Sequence, residues 1–225
     1  MEQVENYGDE RQMSWCVYCG GPTETRDHVP SKVLLDEPYP DNLPVVPACA
    51  QCNSSFSLDE EYLACLNECA VRGVIGGDSI ERVKVMRILA EKPALAKMLE
   101  EAKVVIDGQT LFRIESNRVR NVVLKLARGH AAFELNTPQF GEPAYIAVEP
   151  LCSLSHILVS AFETPPSMDV WPEAGSRAMM RCAKSSAPTW VTVQPGRYRY
   201  LAYVTSGILI RIVIGEYLAC EVAWL

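Results

Sequence analysis

Two C-x-x-C pairs, Cys16-Val17-Tyr18-Cys19 and Cys49-Ala50-Gln51-Cys52, stand 29 residues apart in a stretch with little else to fold around. Two residues between thiolates let both sulfurs of a knuckle face one ion. Two knuckles complete the tetrahedral four-sulfur shell that zinc prefers. Gly20 and Gly21 suit the tight turn after the first pair. Residues 14–57 are otherwise rich in Pro, Gly, Cys and Asn, with only short apolar runs such as Val29-Pro30 and Leu43-Pro44-Val45-Val46. A unit with so small a core needs a staple. The expectation is a structural zinc on Cys16, Cys19, Cys49 and Cys52. A thioredoxin-type redox pair would need a βαβ context, which this loop-rich stretch lacks.

The other cysteines do not extend the pattern. Cys65 and Cys69 lie four apart on an expected helix face and read as small core residues, as do the isolated Cys152, Cys182 and Cys220. An odd count of nine, behind the polar, acidic start MEQVENYGDERQ, does not describe a disulfide framework. That start is neither a signal nor a transit peptide, and no apolar run approaches the roughly 18–20 residues that cross a bilayer. The expectation is a cytoplasmic protein with no membrane partner. With 225 residues, 48% hydrophobic and 22% charged, the chain can bury a real core and is not disordered.

From Ser57 the texture changes. Ser57-Leu58-Asp59-Glu60 is a helix-start signal, with Leu63, Leu66 and Ala70 following at helical spacing up to Arg72-Gly73. Residues 73–78 read as a linker. Helices are expected over 79–92, from Pro93, and over 117–135, with short strands over 111–115 and 145–148. The last runs, 190–193, 198–204, 208–214 and 217–224, are β-rich and broken by Pro195-Gly196, Ser206-Gly207 and Gly215-Glu216, which reads as an antiparallel meander. The expected class is α+β: a zinc-stapled unit over 1–72, beginning with a loose lead-in over 1–13, then a helical and β-rich region over 73–225 that packs on it or stands apart.

Between the knuckles lies Arg26-Asp27-His28-Val29-Pro30. A carboxylate is a hard ligand for magnesium, and an imidazole can accept a proton near neutral pH. Asp41-Asn42-Leu43 follows, and Asn53 comes directly after Cys52. Singly, these are ordinary turn and cap residues. Jointly, residues 16–61, CVYCGGPTETRDHVPSKVLLDEPYPDNLPVVPACAQCNSSFSLDEE, resemble the HNH endonuclease family, whose ββα-metal core is inserted in a four-cysteine zinc ribbon. Asp27-His28 matches the family's Asp-His pair, Asn42 its central Asn, and Asn53 its last position, which is His or Asn in different members. The likeness covers about a fifth of the chain.

The resemblance implies hydrolysis of phosphodiester bonds with one divalent ion, Mg²⁺ or a similar cation, held by Asp27 and Asn53. It implies His28 as general base, Asn42 as the residue that fixes the loop orienting His28, and products with a 5′-phosphate and a 3′-hydroxyl. Two adjacent strand residues point to opposite faces, so the chain must bend if Asp27 and His28 are to serve one site.

Nucleic acid, DNA first, is the implied partner, yet residues 1–60 hold three basic and eleven acidic side chains within a net charge of −7. Polyphosphate binding needs positive charge. Arg113, Arg118, Arg120, Lys125 and Arg128 crowd one strand and helix and are the expected phosphate contacts, with Arg197 and Arg199 behind them. The competing readings are a non-catalytic zinc ribbon that binds nucleic acid or a protein, and a nuclease that stays silent until a protein partner or second copy joins it.

Overall fold

The computed structural model describes residues 4–7, 13–75, 80–106 and 109–225. Part of the expected lead-in (1–3 and 8–12) and of the expected linker (76–78), with Ser79, lies outside them. The chain is α+β. Strands β1 (Thr25–His28) and β2 (Val45–Ala48) form an antiparallel hairpin in which Asp27 faces Val46 and His28 faces Val45. Helix α1 (Ala50–Ser55) follows at once, then α2 (Ser57–Arg72), which stops at Gly73 with a left-handed φ of 69°. Strand, strand, helix is the order expected of the N-terminal unit.

Helices α3 (Val83–Glu91) and α4 (Pro93–Ala102) come next. The first starts later than expected because Arg82 is extended and buried. Its guanidinium is bonded to Asp36 Oδ1 at 2.6 Å and to the carbonyls of Val33 at 3.0 Å and Leu35 at 2.9 Å. A small hairpin follows, β3 (Lys103–Ile106) with β4 (Gln109–Phe112). The strand expected over 111–115 is the end of this hairpin.

Helix α5 (Ser116–Leu135) is the spine of the molecule. Val119, Val122, Val123, Leu126, Ala127 and Ala131 are all buried, more than a one-sided stripe would need, because the helix is covered on two sides. One side meets α2 and β2, the other the C-terminal sheet. That sheet has five antiparallel strands in the order β5-β9-β8-β7-β6: β5 (Tyr145–Pro150), β6 (Val191–Gln194), β7 (Tyr198–Val204), β8 (Ile208–Ile214) and β9 (Leu218–Trp224). Between β5 and β6 run α6 (His156–Glu163) and α7 (Arg177–Ser185), capped by the hydroxyls of Ser155 and Ser176. A single cluster of buried apolar side chains runs from Cys16 through α2 and α5 to Trp224.

Candidate active site

The four knuckle thiols converge. The Sγ atoms of Cys16, Cys19, Cys49 and Cys52 all lie within 4.8 Å of one another, and those of Cys19 and Cys49 are 3.9 Å apart. A tetrahedral site with Zn–S bonds of about 2.3 Å puts its sulfurs about 3.8 Å apart, so the cluster fits zinc. Each knuckle also turns a backbone N–H onto sulfur: Gly21 onto Cys19 at 3.4 Å and Cys52 onto Cys49 at 3.3 Å. Gly20, at φ 74°, supplies the left-handed residue that the first turn requires. Burial raises the Cys16 thiol, but backbone hydrogen bonds from Cys49, Tyr18 and Cys19 outweigh it and bring its pKa down to about 7, while burial and the neighbouring sulfurs push the Cys52 thiol up, so without an ion the four do not ionise together. A metal ligand of this kind must be a thiolate.

The cluster fixes α1, and α1 carries Asn53. Cys49 caps the helix and Cys52 lies in its first turn. Glu24 accepts from the Ala50 N–H at 2.8 Å and holds the same helix end. Asn53 Nδ2 donates to Thr25 Oγ1 at 3.1 Å and to the Arg26 carbonyl at 3.3 Å. A carbonyl can only accept, so these bonds orient the amide and leave its oxygen uncommitted.

Asp27, His28 and Asn53 line one cleft of about 390 Å³. The strand ends at His28, and the Val29 N–H bonds the Pro44 carbonyl at 2.9 Å as the chain leaves the hairpin. Asp27 is buried and His28 half-buried. Burial, together with the charge of Lys32, pushes the His28 imidazole below its usual pKa, against the pull of Asp27. The shift favours the neutral ring, the form able to take a proton.

Beneath the cleft is a polar network that the sequence did not announce. Asp27 Oδ2 accepts from the Tyr18 hydroxyl at 2.7 Å and pairs with Lys125 Nζ at 2.8 Å. Lys125 also reaches Ser31 Oγ at 3.0 Å and pairs with Glu60, which in turn accepts from Ser31. The Lys125 ammonium therefore bridges two carboxylates. Tyr18 stays protonated, its pKa pushed well up by burial and by Asp27.

Lys125 is thus corrected from a surface phosphate contact to a buried lysine, its side chain 1% exposed. The other expected contacts are largely spoken for. Arg118 pairs with Asp59 at 2.7 Å and Glu115 at 3.6 Å, Arg120 with Glu142 at 3.4 Å, and Arg128 bonds the carbonyls of Phe140 and Gly141. Arg113 reaches the Glu101 carbonyl at 3.4 Å. Arg197 pairs with Asp36 and Glu68, and Arg199 with Glu163 and Glu216. Asn42 lies exposed in the turn before β2 with no side-chain hydrogen bond among the described residues, and the backbone bond from Val29 to Pro44 ties the hairpin end instead.

A comparison with protein-family models finds no match, and comparisons with curated proteins and with solved structures return no similar chain. Among the described residues no helix is long and apolar enough to cross a membrane.

Proposed function

We propose that the protein is a metal-dependent endonuclease of the HNH type that hydrolyses phosphodiester bonds of DNA. The observation that carries this reading is the meeting of Asp27, His28 and Asn53 in one cleft beside a four-thiol cluster. The order strand, strand, helix delivers them, with β1 carrying the first two and α1 the third.

The Asp27 carboxylate and the uncommitted Asn53 oxygen are hard donors that would hold Mg²⁺ or a similar cation. When bound, such an ion supplies positive charge for the phosphate and the departing 3′ oxygen. The rest falls to the chain. Neutral His28 takes the proton of the attacking water. Tyr18 and Lys125 hold the Asp27 carboxylate in place. Zinc on the four thiols is a scaffold: it fixes the helix on which Asn53 stands, next to Cys52.

One observation favours the non-catalytic reading, a zinc ribbon that only binds. Lys125 already occupies one oxygen of Asp27. Incubation of the full chain with supercoiled plasmid separates the two. Endonuclease action predicts Mg²⁺-dependent nicking, and Asn53→Ala should raise the Mg²⁺ concentration needed for it. Plasmid bound and never cut, with Mg²⁺ or Mn²⁺, would leave the binding module.

A further inference from the structure

Lys125 is buried, Arg118 and Arg120 are held in ion pairs, and Arg128 is tied to the carbonyls of Phe140 and Gly141, so of the expected DNA contacts Arg113 alone lacks a close internal partner among the described residues and the backbone of the substrate needs further partners. We propose that Lys32, Lys84 and Arg87 form a phosphate-binding wall of the cleft and hold the nucleic-acid backbone opposite His28. The inference rests on the endonuclease reading and names the surface that reading lacks.

All three side chains line the same cleft as Asp27, His28 and Asn53. Lys32 follows the strand that carries His28. Lys84 and Arg87, three apart on α3, share one helix face. Lys32 and Arg87 are exposed and Lys84 half-buried, and none of the three has a carboxylate partner among the described residues. Lys84 instead donates to the Tyr39 hydroxyl at 3.0 Å, and both lysines stand 5.4 Å from the centre of the Tyr39 ring. The Tyr39 hydroxyl donates in turn to Glu37 at 2.9 Å, so a carboxylate stands behind the ring while neither ammonium group has a direct ion pair among the described residues.

The charge balance of the cleft supports the same assignment. Its carboxylates are Asp27, Glu60 and Glu61. Lys125 bridges the first two, and Lys92 pairs with the third. Three carboxylates met by two lysines leave one negative charge against three uncommitted cations, before any bound metal adds to them. The α3 wall is also rigidly placed. Arg82, at its N-terminal end, is bonded to Val33, Leu35 and Asp36, the segment that follows Lys32. The wall is therefore assembled before substrate arrives, which lowers the ordering cost of binding.

Phosphate contacts set affinity and its salt dependence while reading no base. The test measures binding of a short fluorescent DNA duplex to the full-length His28→Ala protein with Mg²⁺, across a KCl series, so that binding is read without cleavage. Adding Lys84→Ala and Arg87→Ala should weaken binding alike for unrelated sequences and lower the log–log salt slope by about 1 per residue. Lys32→Ala, on a different element, should lower it by about 1 alone. Arg120→Ala with Arg128→Ala should leave it unchanged. Zinc content and thermal midpoint equal to the parent's show that the variants fold. An unchanged slope in both Lys84→Ala/Arg87→Ala and Lys32→Ala overturns the wall, as does a His28→Ala parent that binds no duplex. Plasmid nicking by the wild type reports separately on the endonuclease reading.

Discussion

Lys125 is the residue on which the candidate site turns. A lysine that is 1% exposed is tolerable only when paired, and here it answers two carboxylates at once. Lys125→Met would leave Asp27 and Glu60 facing each other with no cation between them, and should cost about 3–5 kcal/mol in urea unfolding. Adding Glu60→Gln should recover part of it; no recovery would mean that the two residues are not coupled. His130 makes a second residue-scale case. It is fully buried, stacked on Tyr200 at 3.7 Å and bonded through Nε2 to the Tyr198 hydroxyl at 2.7 Å. Burial pushes its pKa down to about 3. Below pH of about 6.5 the unfolded chain binds a proton that the folded one refuses, so stability falls with pH by about 1.4 kcal/mol per pH unit until the folded value is reached. Between pH 7 and pH 5 the wild type should lose about 2 kcal/mol more than His130→Phe, which keeps the stacking. Equal losses would show that His130 titrates in the fold as it does in the unfolded chain.

Helix α5 joins the two halves of the molecule, and Arg118, Asn121, Lys125 and Gly129 on it meet the N-terminal unit. A Cβ on Gly129 would fall 2.6 Å from Val29 Cγ2, one residue beyond His28. Alanine gains about 1 kcal/mol of helix propensity, while overpacking of this kind costs about 1–3 kcal/mol. Gly129→Ala should therefore cost from nothing to about 2 kcal/mol in stability and should slow cleavage markedly, because the residue that must yield adjoins the proposed base. Cleavage at the wild-type rate would detach α5 from the site. The face was partly legible: a lysine and a glycine at helical spacing among Val122, Leu126 and Val119 interrupt an apolar arc. Crowded arginines around it gave the opposite impression of a solvated helix. Helices α6 and α7 carry serine caps at Ser155 and Ser176, but these elements, like the β3–β4 hairpin, are too short for apolar periodicity to mark them.

At the scale of the whole molecule, four of the eleven carboxylates of residues 1–60 are met from within. Arg82 and Arg197 answer Asp36, Arg118 answers Asp59, and Lys125 answers Asp27 and Glu60. The later part of the chain supplies those cations, which is why they do not face a polyanion. Local spacing made the knuckles and the meander readable, since each depends on residues close in sequence. The ion pairs join positions as far apart as 36 and 197, and no local pattern announces them. Asp27, His28 and Asn53 are proposed to act together on phosphodiesters from a thiol-pinned frame. The most direct measurement is Mg²⁺-dependent plasmid nicking by wild type and His28→Ala at equal zinc content. The account predicts nicking by the wild type and a rate lower by on the order of 10²–10⁴ in the variant. Equal nicking by the two proteins, or none by the wild type, would contradict it.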